Sequence, residues 1–88
     1  MNKIIRYEDR LRLLWKLRRQ GLKVRMHSYE YFIGDGKRFI GVLCIYPLWN
    51  QAVFHLTKEY KNNENEKWIK IIIEEIWRTL GNIRVYTR

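Results

Sequence analysis

The chain is poor in the residues that staple or punctuate a fold. One cysteine, Cys44, and one proline, Pro47, occur among 88 residues. A single thiol excludes an intrachain disulfide and argues for a reducing, intracellular (cytoplasmic) setting rather than a small secreted scaffold. The CxxC and HxxxH spacings of structural zinc sites are missing, so no metal ligands are expected. Glycine is sparse, and Gly34-Asp35-Gly36 is too short for a phosphate-cradling G-x-G-x-x-G loop. The longest apolar stretch, residues 40–49, is too short and too interrupted to span a bilayer. Residues 1–10 are polar and lack the apolar centre of a signal peptide. Acids are scarce as well: nine Asp and Glu stand against 18 Lys and Arg, a net charge of +9.

Hydrophobic material is plentiful. It makes up 47% of the chain, with four Trp, six Tyr and three Phe. That is enough to pack a core in one domain over residues 1–88, and it excludes disorder despite the charge. The charge is concentrated near the start. Residues 1–25 hold nine Lys and Arg against Glu8 and Asp9, whereas residues 26–60 are balanced. Such a basic pole favours a phosphate-rich or acidic partner.

Periodicity predicts a helix over residues 6–19, with Tyr7, Leu11, Leu14 and Trp15 on one face and Leu13 and Leu17 widening it. Glu8, Arg12, Lys16 and Arg19 take the other face, and Gly21 closes the helix. A strand over 22–33 follows, then a two-residue type I′ turn at Asp35-Gly36 and a return strand over 38–46. Residues 47–50 read as a second turn before a strand at 51–57. The run 61–67 reads as a loop, leading into a helix over 64–80. Asn63 and Glu66 form a capping-box pattern at its start and Gly81 stops it. A short strand over 83–88 ends the chain. The order α-β-β-β-α-β predicts an α+β fold: a three-stranded antiparallel meander, a short C-terminal strand, and two helices on one sheet face.

The two turns set a register. Partners whose numbers sum to 71 lie opposite across the first turn, and those summing to 97 across the second. One face then gathers Val24, Met26, Phe39, Leu43, Ile45, Phe54 and Leu56 as the core. The other gathers Lys23, Arg25, His27, Tyr29 and Tyr31, beside Ile40, Val42, Cys44 and Tyr46, then Gln51, Val53 and His55.

That second face mixes cations with flat rings, as surfaces that bind single-stranded nucleic acid do. The leading expectation is therefore a non-catalytic nucleic-acid-binding protein, for DNA or RNA. Arg12, Lys16, Arg18, Arg19, Lys23 and Arg25 are the candidate phosphate contacts, and Tyr29 and Tyr31 the candidate stacking platforms. The segment 14–25 carries Lys16, Arg18, Arg19, Lys23 and Arg25 without one acid, more than solubility or the helix dipole requires. An alternative is an interaction module for an acidic protein partner, or a homodimer joined through the apolar centre of that face.

Enzymatic readings find less support. His27, Cys44 and His55 converge in the proposed register, but Cys44 lies mid-strand, away from any helix N-terminus that would activate it. No catalytic residue and no cofactor is assigned. The element order resembles the core of restriction-endonuclease-like folds, including archaeal junction resolvases, with Glu8 matching the helix acid and Asp35 the aspartate. That family's acid-x-Lys is missing from the third strand, where the sequence is FHLTKEY. The resemblance implies a nuclease-like fold without a complete metal site. Residues 6–80 also resemble the double-stranded-RNA-binding domain in layout, but NNENEKWIK replaces that family's lysine cluster.

Overall fold

The computed structural model describes residues 4–61 and 66–88. Helix α1 runs Tyr7–Arg19, and strands β1 (Lys23–His27), β2 (Glu30–Gly34) and β3 (Phe39–Tyr46) follow. A single 3-10 turn, Pro47–Trp49, leads to β4 (Gln51–Leu56). Two helices, α2 (Lys58–Lys61) and α3 (Lys67–Leu80), precede β5 (Arg84–Thr87). The sheet has the order β1-β2-β3-β4-β5; its first four strands form an antiparallel meander, and β5 lies parallel to β4.

This is the expected α+β architecture with one strand more and one short helix more, α2 directly after β4. The predicted strand over 22–33 is two strands joined by a turn at Ser28-Tyr29, where Ser28 has φ 56°. No Gly, Pro or Asn marks that turn, so alternation alone reads straight through it. The two-residue turn then inverts the pattern. His27 and Glu30 are partners on the same face, so β2 presents Glu30 and Phe32 where an unbroken strand would present Tyr29 and Tyr31.

The hairpin at Asp35 differs as well. Of its residues only Gly36 has positive φ (96°), so it is not a type I′ turn. The Asp35 carboxylate accepts hydrogen bonds from the backbone N–H groups of Lys37 (2.8 Å) and Arg38 (2.7 Å), and the Asp35 N–H donates to the Arg38 carbonyl (3.0 Å). This side-chain capture widens the loop. Ile33 pairs with Gly41, and Gly34 with Phe39, through an irregularity that replaces the expected register. Phe39 is thereby exposed, and Ile40 is buried in the core, the reverse of expectation. The second register is as predicted: Val42 faces His55 and Leu43 faces Phe54. Gly41 is needed at the irregularity, because a Cβ there would lie 2.2 Å from the His55 carbonyl oxygen.

Helices α1 and α3 cover one face. Leu13, Leu14 and Leu17 of α1 join Ile72, Ile76 and Leu80 of α3 over Val24, Tyr31, Ile33, Leu43, Ile45, Ala52 and Phe54. Met26 and Leu56, also expected in the core, are partly buried against it. Gln20 at the end of α1 donates to buried Glu75 of α3 (3.0 Å), fixing the two helices together. Gly21, at φ 103°, ends α1 as expected. Asn63, the predicted cap of α3, lies outside the described residues. Glu66 occupies the N-cap position, its carboxylate accepting from the Trp68 N–H (3.1 Å). Among the described residues no helix is long and apolar enough to cross a membrane.

Candidate nucleic-acid interface

Among the described residues no helix packs on the other side of the sheet, where only Trp49 of the 3-10 turn meets the end row, and the register assigns its side chains to rows. Tyr46, Gln51 and Arg84 form the row at the Trp49 end. His27, Glu30, Cys44, Val53 and Tyr86 cross all five strands in the next row. Arg25, Phe32, Val42 and His55 follow, and Lys23, Gly34 and Phe39 close the sequence. Cations thus line the two edge strands, Lys23 and Arg25 on β1 and Arg84 on β5, with rings and apolar groups between them.

Three rings on this face are open to solvent: Phe32 (39% exposed), Phe39 (48%) and Tyr86 (43%). Phe32 and Phe39 are diagonal neighbours on adjacent strands, across the irregularity in the ladder. An open depression of about 620 Å³ runs between Arg25, Met26, His27 and Phe32. Glu30 is the one acid in these rows. It accepts a weak hydrogen bond from the Cys44 thiol at 3.9 Å.

The eight residues singled out from the sequence fall into three groups. Lys23 and Arg25 are exposed on the open face, as expected. The helix cations are not with them. Gln20 points towards α3, and Leu13, Leu14 and Leu17 point at the sheet, so at 100° per residue Arg12 and Arg19 face away from the sheet and half-buried Lys16 leans towards α3. Arg12 pairs with Asp9 (3.4 Å). Arg18 points at the edge of the sheet, where Nε and Nη2 donate to the Val24 carbonyl (3.0 and 2.7 Å) and the guanidinium lies 5.2 Å from the Trp15 ring.

The tyrosines form the third group. Tyr31 is fully buried and its hydroxyl donates to the Arg10 carbonyl (2.8 Å), with its ionisation pushed up by burial. It is not a stacking platform; the inverted alternation after Ser28-Tyr29 places it in the core. Tyr29 sits in that turn with the Arg10 guanidinium 4.1 Å from its ring. Sequence reasoning passed over Arg10, which also approaches Tyr7 (5.4 Å) and donates to the Ser28 carbonyl (2.7 Å). Phe32, Phe39, Tyr86 and Arg84 were missed too. The signal for Phe32 was the Ser28 turn, which inverts the alternation of β2, whereas Phe39 reaches the open face through the irregularity that follows the Asp35 hairpin.

The catalytic alternatives come apart in this geometry. Strand β2 separates His27 from Cys44, and His55 faces Val42. Burial, then the nearby Glu30 carboxylate, pushes the Cys44 thiol up, which disfavours the nucleophilic thiolate. Glu8 lies in the first turn of α1, near the Ser28 end of the sheet, while Asp35 lies at the opposite end of β2. Among the described residues, no three His, Cys, Asp or Glu side chains group as metal ligands.

No protein-family model, curated protein or solved structure matches the chain at a significant level.

Proposed function

We propose that the chain binds single-stranded nucleic acid on the open sheet face. Bases stack on Phe32, Phe39 and Tyr86, while Lys23, Arg25 and Arg84 neutralise phosphates along the two edges. The observation that carries this reading is an uncovered sheet face with three solvent-exposed rings between cationic edge strands, and one acid in its rows. A ring face stacks on any base, whereas duplex bases are already stacked on one another, so the arrangement favours single strands of DNA or RNA. The chain acts by binding, without catalysis, and its unpaired thiol suits a reducing intracellular setting.

Fluorescence anisotropy with labelled oligothymidylate and oligouridylate tests the reading, with a duplex of equal length as the comparison. Three to four phosphate contacts give a log–log salt slope of roughly −2 to −3 for a single strand. Phe32→Ala and Phe39→Ala each weaken binding about tenfold, since a stacked base contributes about 1–3 kcal/mol. Equal affinity for the duplex, salt-insensitive binding, or full affinity in both alanine variants overturns the proposal.

A further inference from the structure

A second surface lies at the Trp49 end of the sheet, apart from the Phe32 and Phe39 platforms. Leu48 (81% exposed) and Trp49 (62%) stand side by side in the 3-10 turn, and Trp49 contacts Tyr46 at a tilted 5.7 Å between ring centroids. Together with Tyr29, Ile45 and Pro47 they line a pocket of about 200 Å³. The Ser28-Tyr29 turn brings Tyr29 there because the Ile45 N–H donates to the Tyr29 carbonyl (2.9 Å). Two cations touch lining residues from outside the pocket. The Arg10 guanidinium lies over Tyr29, and Arg84 Nη2 donates to the Trp49 carbonyl at 2.9 Å.

We infer that this pocket docks a protein partner by taking one large apolar side chain, with carboxylates of the same partner segment meeting Arg10 and Arg84. The volume decides the occupant's size. It is smaller than the roughly 300–1,000 Å³ of a small-molecule cleft and suits a single side chain. Trp, Tyr and Arg around a small apolar recess are the composition of an interface anchor point. Charge decides the occupant's sign: two guanidinium groups flank the recess on a chain of net charge +9, so an acidic segment is attracted and a second copy of this chain is repelled.

Selection of random peptides displayed on phage against the full chain tests the inference. The enriched peptides share one large aliphatic or aromatic residue with Asp or Glu within a few positions. Synthetic versions bind at least tenfold more weakly when that residue is alanine. They lose at least tenfold against Leu48→Asp, and against Leu48→Ser combined with Trp49→Ala, each variant retaining the melting temperature of the parent. Enriched peptides without that pattern, no enrichment, or equal binding to folded variants overturns the inference. Arg84 serves both surfaces, so competition by oligothymidylate alone is expected; peptide binding lost in Phe32→Ala or Phe39→Ala assigns the pocket to the nucleic-acid site instead. Vesicles containing anionic lipid that bind through Leu48 and Trp49, with no peptide doing so, assign it to a membrane surface.

Discussion

At Ser28 the backbone adopts φ 56°, a region that costs residues other than glycine about 1–2 kcal/mol. The position is tolerated because Arg10 grips the Ser28 carbonyl and the flanking strands close around the turn. Ser28→Gly is expected to raise stability by up to about 1 kcal/mol, seen as a higher denaturation midpoint without a changed slope. Asp35 offers a second measurement at this scale. The Tyr60 hydroxyl, then the N–H groups of Arg38 and Lys37, hold its carboxyl down from 3.8 to about 2. A depressed folded-state pKa stabilises the fold above the ordinary value, and that contribution is lost as pH falls through the folded one. The melting advantage of the wild type over Asp35→Asn is therefore full near neutral pH, shrinks below about pH 4, and is mostly gone near pH 2. The partner runs the other way. Burial, and then its bond to Asp35, raises Tyr60 to about 12, a contribution present below pH 10 and lost through about pH 12. Asp35 was legible as a turn residue from its Asp-Gly context. Its side-chain capture of two N–H groups, which sets the register, was not, because the same dipeptide suits several turn geometries.

Elements were most legible where period and cap agreed. Leucines in the α1 pattern, Gly21 after it and the isoleucine-rich face of α3 gave both helices nearly to their ends. The turn before β4 gave the β3–β4 register because Pro47 and Asn50, the latter at φ 49°, mark its limits. The break between β1 and β2 was hidden, since His27-Ser28-Tyr29-Glu30 holds no strong breaker and a continuous strand satisfies the same alternation. Arg18 links two elements in a way the sequence disguised as surface charge. Alternation from the His27–Glu30 pair turns the Val24 carbonyl to the outer edge of β1, and Arg18 takes it with two nitrogens. Arg18→Ala is expected to cost about 1–2 kcal/mol, a melting-temperature drop of several degrees. Arg19→Ala should shift it by less than about 0.5 kcal/mol. Lysine at 18 restores little, because a point charge lacks the planar fork.

Over the whole molecule, the basic pole divides between two sides of a sheet. Its presence was readable from charge counts, but its partition depends on which way α1 rolls against β1 and α3, and that is decided by packing. Two paired reversals separate the sides. Lys23→Glu with Arg25→Glu is expected to abolish oligonucleotide binding at any salt concentration. Arg12→Glu with Arg19→Glu acts only at long range, and its effect on affinity fades as salt rises past about 0.1 M, where the screening length is about 10 Å. Anisotropy titrations at low and near-physiological salt distinguish the two. If the helix pair matters equally at both, the contact surface is the helical layer.

The parallel strand β5 also orders events in time. Strands β1 to β4 are joined by short turns, so each finds its neighbour locally and quickly. Strand β5 reaches β4 only through the connection that carries α2 and α3, over 30 residues after the matching position: Gln51 meets Arg84, and Phe54 meets Thr87. Until then β4 is the rim of the sheet, offering the backbone beside Ala52, Val53 and Phe54 to any extended chain. Topology therefore predicts a stage in refolding at which an apolar strand is one partner short, checked by pulse-labelled hydrogen exchange at Ala52, Val53 and Phe54. Closing that vacancy early limits loss to aggregation, and it falls to the last strand of the sheet.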